Sequence, residues 1–407
     1  MFPQRMTATS VDLSGAQTGG SRPAATRRSD KRWRLMFSIT TTDVGGAEHI
    51  LRELALRLDR ERFEPVVCSL CPPGCVGEEI AAAGIEVRTL NMSARPRPLE
   101  LVTAAVHFGR LLDELRIDLV HSFLYRGNVL ARIGARLARR RPLVVSGHHS
   151  LSPLGDPRGP LVARWTGRLS DRVVVVSRAV RDEVIRTEGI RPEQVVILEN
   201  GVDTHYYDVR DSAPARAQLG LDPNAIVVGA VGRLAEGKEF HYLLDSMALA
   251  RQRGVTLDLL LAGEGPERAR LEQQARALGL DRHVRFLGVV RDLRPVYAAI
   301  DIFALNSREE ASPTVLLEAM ACGRAAVATT VGGVLEMVEH ERTGILVSPG
   351  APAAFADGLV RLATDADLRH RLGSAARAHV VERFEMARMV ANHERFYKEL
   401  LEARSVP

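Results

Sequence analysis

Lysine is almost missing from this chain: of 55 basic residues only Lys31, Lys238 and Lys398 are lysines, and the rest are arginines. A lysine inside a motif therefore stands out from the background. Cysteine is scarce too, with four residues in 407, too few for a disulfide framework in a chain of this length. Three of them fall in Cys68-Ser-Leu-Cys71-Pro-Pro-Gly-Cys75. That spacing is zinc-like, but no second Cys-x-x-Cys or histidine pair follows and Cys68 ends an apolar strand pattern, so no metal is expected there. A run of about 18 apolar residues is lacking, which excludes a transmembrane helix, and the arginine-rich start has no apolar signal region. The expected compartment is the cytoplasm. With 46% hydrophobic and 26% charged residues, the composition is that of a soluble globular protein, and the length suggests two domains at roughly 150 residues each.

Acidic residues are absent between Asp118 and Asp156, where Arg126, Arg132, Arg136, Arg139, Arg140 and Arg141 stand. This stretch reads either as a solvated helix face or as an anion-attracting surface, with anionic membranes or a phosphate-bearing lipid as its partners and the inner membrane face as a peripheral location. Residues 1–33 mix Gly, Ser, Thr, Pro and Arg without periodicity and read as a disordered basic tail.

From residue 34 onward, short β-branched runs alternate with amphipathic helical stretches. Strands are expected near 34–40, 64–70, 85–90, 117–121, 143–147, 172–176 and 195–198, and a helix from about 47 to 58 follows the first. A polar stretch over 204–222 interrupts the alternation, which restarts at Ile226 with strands near 257–262, 284–287, 301–305, 325–329 and 345–347. The fold class is α/β, two Rossmann-like doubly wound domains facing a cleft, 34–204 and 205–383. A closing helix within 384–407 is expected to return to the first domain.

Open sheets of this kind bind ligands at the carboxyl ends of their strands. Val44-Gly45-Gly46-Ala47-Glu48 joins the first strand to its helix, a turn that either binds a phosphate or merely punctuates the chain. The second domain opens with Gly232-Arg233-Leu-Ala-Glu-Gly-Lys238, where a guanidinium fork and an ammonium can converge on one anion and clamp a diphosphate. Gly263-Glu264-Gly265-Pro266 holds a fragment of a dinucleotide fingerprint and argues for close backbone approach to a ligand, not for NAD. In Ser307-Arg-Glu-Glu310-Ala311-Ser-Pro313-Thr314-Val-Leu-Leu-Glu318, one carboxylate stands before a turn and the other a turn and a half into a helix. The two can accept hydrogen bonds from separate sets of hydroxyls, as a nucleotide sugar offers, while the helix start near Pro313 and Thr314 faces the diphosphate. His121, His148 and His149 follow strand patterns and should open on the cleft. Asp365-Ala-Asp367 formally matches a metal-binding DxD, but Asp is an expected cap of the helix that follows.

With Glu199-Asn-Gly-Val-Asp203 and Phe286-Leu-Gly-Val-Val290-Arg-Asp292 added, these motifs, taken in order over residues 35–400, resemble those of the retaining GT-B glycosyltransferases of glycosyltransferase family 4. The resemblance implies that Arg233 and Lys238 grip the donor diphosphate, Glu310 contacts the transferred sugar and Glu318 holds the ribose. It also implies that Val290 lies against the base, that Gly46, next to Gly45, approaches the diphosphate from the other domain, and that His148 sits near sugar and acceptor. Ala311 departs from the usual Gly after the first Glu, and Arg324-Ala325 from a frequent Lys-Pro.

The reading is thus a glycosyltransferase that moves a sugar from a nucleoside-diphosphate donor to a hydroxyl acceptor (lipid-linked, polysaccharide or small molecule). Retention of configuration is expected, with no metal, no cofactor and no nucleic-acid partner. An epimerase or hydrolase of nucleotide sugars and a non-catalytic sugar-binding protein are the rival readings.

Overall fold

The computed structural model describes residues 32–93, 96–151 and 159–405. The expected basic tail lies outside them up to Lys31.

Seven parallel strands form the first sheet: β1 (Trp33–Ile39), β2 (Phe63–Ser69), β3 (Glu86–Thr89), β4 (Leu119–Phe123), β5 (Leu143–His148), β6 (Arg172–Val175) and β7 (Val195–Ile197), in the order β3-β2-β1-β4-β5-β6-β7. The second sheet has β8 (Val227–Val231), β9 (Asp258–Ala262), β10 (Val284–Gly288), β11 (Ile302–Leu305), β12 (Ala325–Thr329) and β13 (Ile345–Val347), in the order β10-β9-β8-β11-β12-β13. Each sheet therefore reverses its winding once, beside β1 in the first and beside β8 in the second, and a crevice opens at the carboxyl ends there. All thirteen strands lie within two residues of the apolar runs that announce them.

Strand β1 shows why the sheet is buried on both faces. Its Leu35, Phe37 and Ile39 pack among Ile50, Leu54, Met389 and Tyr397. Met36, pointing the other way, packs among Phe108, Leu130 and Ala131. Alternate residues of one continuous apolar run thus anchor helices on opposite faces. The helix Met386–Ser405 belongs to the first of these clusters. It buries Met386, Met389, Val390, Phe396, Tyr397 and Leu401 there, each worth roughly 1.5–3 kcal/mol of burial. The chain crosses between the sheets twice, and the crossings are bonded together: Val202 N–H donates to Phe384 O (2.8 Å) and Met386 N–H to Val202 O (3.0 Å). Within the polar stretch 204–222 lies a short helix, Ser212–Gln218, capped by the Asp211 carboxylate.

Two expectations about the first sheet are corrected. The arginines of the acid-free stretch do not share one surface. Arg132 is fully buried, while Arg139 and Arg140 stand beyond the end of the helix Leu124–Leu137, where their backbone N–H groups donate to Asp113. His121 does not open on the cleft; it is fully buried and its Nδ1 lies 2.6 Å from the Tyr397 hydroxyl of the last helix.

Candidate active site at the interdomain cleft

At the second sheet's switch point, the turn after β8 carries Arg233 and Lys238 and the loop after β11 carries Glu310. Lys238 Nζ lies 2.5 Å from Glu310 Oε1, and the same oxygen accepts the Ser307 hydroxyl at 2.6 Å. The Arg233 guanidinium is exposed and has no ion pair or hydrogen bond among the described residues. The turn thus holds one cation tied to a carboxylate and one free, rather than two already converged on a point.

That turn is positioned by the loop after β9. Gly232 N–H donates to Ala262 O (3.0 Å) and Leu234 N–H to Glu264 O (2.9 Å). A Cβ on Gly263, at φ +141°, would lie 1.9 Å from Gly232 O, and one on Gly265 would lie 2.2 Å from Leu234 O. These glycines admit the neighbouring loop, since a side chain on either would strike its backbone. Their contribution to the site is the placement of Arg233 and Lys238.

The helix Thr314–Ala321 starts at Pro313 and the helix Gly46–Arg57 at Gly45, and neither start has a side-chain cap. They face each other: a Cβ on Gly46 would sit 3.9 Å from Thr314 Oγ1. Two helix starts and their positive dipole ends therefore come close across the cleft; the Glu48 carboxylate already lies at the first and accepts from its own backbone N–H, while the start at Thr314 is open to an anion.

Glu318, inside the second of these helices, is buried, and its Oε2 accepts the Tyr297 hydroxyl at 2.8 Å. Burial pushes its pKa up to about 7, against hydrogen bonds from Tyr297 and Tyr207 that favour the charged form. Tyr207 and Tyr297 pack edge to face at 5.9 Å. Val290, just past β10, is half-buried against the core cluster that holds Tyr297 and Leu316.

His148 ends β5 with its side chain 11% exposed. Its Nε2 faces two donors, Asn128 Nδ2 at 3.3 Å and Arg132 Nη2 at 3.4 Å. Nε2 is thereby the acceptor, which places the ring proton on Nδ1. Burial lowers the pKa of His148 to about 4, so the ring is neutral at pH 7. Behind it Arg132 pairs with Glu188 at 2.9 Å and donates to Ser146 and Ser170, each at 3.0 Å. His149 is buried at both ring nitrogens and stacks on Phe123 at 4.9 Å.

The two halves touch around Glu310. Ala311 is buried in a cluster with Val173, Val175 and Val180 of the first half, and Asn200 Nδ2 donates to Ser312 O at 3.2 Å. Gly333 N–H donates to Glu310 O at 3.0 Å. The methyl that replaces the usual glycine hydrogen at 311 fills an apolar contact, and the turn presenting Glu310 is fastened from behind. Asp365 caps the helix Ala366–Arg383 through a 2.8 Å bond from Leu368 N–H.

Sequence reasoning missed Arg132, Glu188, Tyr207 and Tyr297. For Arg132 a signal existed: Asn128, Arg132 and Ala135 repeat at helical spacing beside Gly127, Ala131 and Gly134, a small-residue stripe that marks a buried face. The tyrosines carry no such signal.

Two Rossmann-like sheets of these strand orders define the GT-B architecture. The family model for glycosyl transferases group 1 matches residues 211–379, and that for Glycosyltransferase Family 4 matches residues 44–206. The chain belongs to this family of glycosyltransferases. It is 35% identical over 400 residues to the D-inositol 3-phosphate glycosyltransferase of Saccharomonospora viridis, covering 89% of this chain and 91% of that one. It is 28% identical over 309 residues to the N-acetyl-alpha-D-glucosaminyl L-malate synthase of Bacillus anthracis, covering 75% and 80%. Among solved structures, Anabaena HepE in complex with UDP and glucose superposes with a TM-score of 0.80 at 27% identity, covering 91% of this chain and all of the other.

Proposed function

We propose that this enzyme transfers a sugar from a nucleoside-diphosphate donor, with UDP the first base to test, to a hydroxyl acceptor, with retention and without a metal. The observation that carries the proposal is the approach of two helix starts, at Gly46 and Thr314, beside the turn of Arg233 and Lys238. As the glycosidic bond breaks, charge develops on the leaving diphosphate. The helix N-termini, the free Arg233 and Lys238 stabilise that charge in place of a metal ion. HepE, a relative above 25% identity, was solved with UDP and glucose, which favours a UDP-sugar.

Glu310 spends Oε1 on Lys238 and Ser307, leaving Oε2 for hydroxyls of the transferred sugar. Glu318 accepts from the ribose. His148, neutral and protonated on Nδ1, acts as a hydrogen-bond donor near sugar and acceptor, because its Nε2 is engaged and its basicity is low. In a front-face route the departing phosphate takes the acceptor proton. The acceptor is lipid-linked, a polysaccharide or a small molecule, and large apolar side chains exposed on the first half, Leu99 and Trp165 among them, favour the lipid-borne one.

The test is release of nucleoside diphosphate from a panel of UDP, GDP and ADP sugars, with and without acceptor extracts. An EDTA arm tests the metal, and proton NMR of the product tests the anomeric configuration. Release that ignores acceptor, collapse in EDTA restored by Mn²⁺, or an inverted product each overturns the corresponding part.

A further inference from the structure

The helices Pro98–Glu114, Leu124–Leu137 and Gly159–Gly167 lie side by side on one face of the first sheet. Their contacts fix the alignment: a Cβ on Gly109 would lie 3.3 Å from Leu137 Cβ, and Arg136 Nη2 donates to Leu169 O at 2.9 Å. On their outer surface large apolar side chains stand in solvent. Leu99 is 73% and Trp165 74% exposed, with Val102 and Val106 one and two turns on from Leu99, Leu161 one turn before Trp165, and Leu137 between the two helices. An outward stripe at helical spacing is the pattern of a face that something else covers.

On two of the three helices the charges are of one sign, while the helix Pro98–Glu114 carries Glu100, bonded to Ser93, and Asp113 and Glu114 at its far end. The helices Leu124–Leu137 and Gly159–Gly167 contain no acidic residue, while Arg126, Arg136, Arg164 and Arg168 are exposed on or beside them. Apolar residues with an indole among them, bordered by arginines, match the acyl boundary and headgroups of an anionic bilayer. In a parallel sheet the helices start at the carboxyl ends of the strands, so Leu99 and Leu161 stand at the same edge as the cleft. We propose that the three-helix face bearing Leu99, Val102, Leu137, Leu161 and Trp165 is the surface by which this enzyme docks on anionic membranes. The inference rests on the lipid-borne acceptor reading and assigns it a surface.

Trp33 is buried in β1 and Trp165 is the only other tryptophan, so intrinsic emission reports on this face. The full chain is mixed with vesicles of phosphatidylcholine alone or with phosphatidylglycerol, at low and high salt, and both co-sedimentation and emission are read. Anionic vesicles should bind the protein, shift the emission to the blue and protect it from acrylamide, and high salt should weaken the binding. Leu99→Gln/Leu161→Gln should weaken co-sedimentation at least ten-fold, and Arg164→Gln roughly five-fold, on the basis of about 1 kcal/mol per surface arginine. All three positions are exposed, and transfer to a water-soluble acceptor should stay unchanged. Co-sedimentation without a Trp165 shift overturns this surface and leaves the lipid-acceptor reading standing. No binding to anionic vesicles overturns both, and a soluble acceptor then still tests the transfer activity.

Discussion

Glu318→Gln should make the protein more stable and less able to hold its donor. The carboxyl is buried in a helix against Tyr297, and burial raises its pKa to about 7 from 4.5. The sign follows from proton counts. Between pH 4.5 and 7 the folded state holds more protons than the unfolded one, so stability falls as pH rises through that window and the full loss is present above it. At about 1.36 kcal/mol per pKa unit, an ionised Glu318 at pH 8 destabilises the fold by on the order of 3 kcal/mol. Glutamine keeps the acceptor for the Tyr297 hydroxyl and never ionises. In urea titrations the variant should gain on the order of 3 kcal/mol at pH 8, and the gain should shrink to about 1 kcal/mol at pH 5. Replacing a charged acceptor by a neutral one should weaken UDP binding about 10- to 100-fold by calorimetry, since hydrogen bonds to charged groups contribute roughly 1.5–3 kcal/mol. A gain of equal size at both pH values, or a loss at pH 8, would refute the burial argument. Unchanged UDP affinity would remove Glu318 from the ribose site.

Lys238→Ala and Arg233→Ala should each lower kcat/KM by about 10²- to 10³-fold, roughly 3 to 4 kcal/mol at the transition state, with the fold intact by circular dichroism; unchanged turnover in either variant counts against the diphosphate clamp. The acid limb of stability should come from four histidines. His148 and His393 are lowered to about 4 and His149 to about 3, in each case chiefly by burial, while His121 is pushed well below its ordinary value of 6.5 by burial beside His393 and His149. The unfolded state then binds more protons below pH 6.5, so stability is lost as pH falls from 6.5 toward 4, by on the order of 1 kcal/mol per histidine at pH 5.5. Urea midpoints that do not fall between pH 7 and 5.5 in a Glu318→Gln background, which removes the opposing carboxyl, would contradict this.

What could be read from the sequence was periodic or local. The two sheets were legible because each strand is a short apolar run between helical stretches, and Asp365 was legible as a cap because capping involves its own helix start. Lys238 stood out because lysine is rare here, and Glu310 and Glu318 because eight residues separate a loop from the inside of a helix. The illegible parts join distant segments. Arg132 and Glu188 are 56 residues apart, and an acid-free run hid the buried pair because its acid comes from another helix. His121 looked like a cleft residue at a strand end, but the Tyr397 that covers it arrives 276 residues later on the last helix. Glycine is ambiguous for the same reason: Gly263 must admit something close, and only the fold shows that Gly232 O is such a neighbour. The two carboxylates show what this means for chemistry. Glu310 is matched by Lys238, 72 residues away, whereas Glu318 sits among tyrosines with its charge opposed by burial. Glu310 thus has a cation within hydrogen-bond distance, whereas burial raises the pKa of Glu318 to about 7. In the proposed assignment the ribose hydroxyls would meet an acceptor whose charge changes near neutral pH, and the transferred sugar one already paired with a cation.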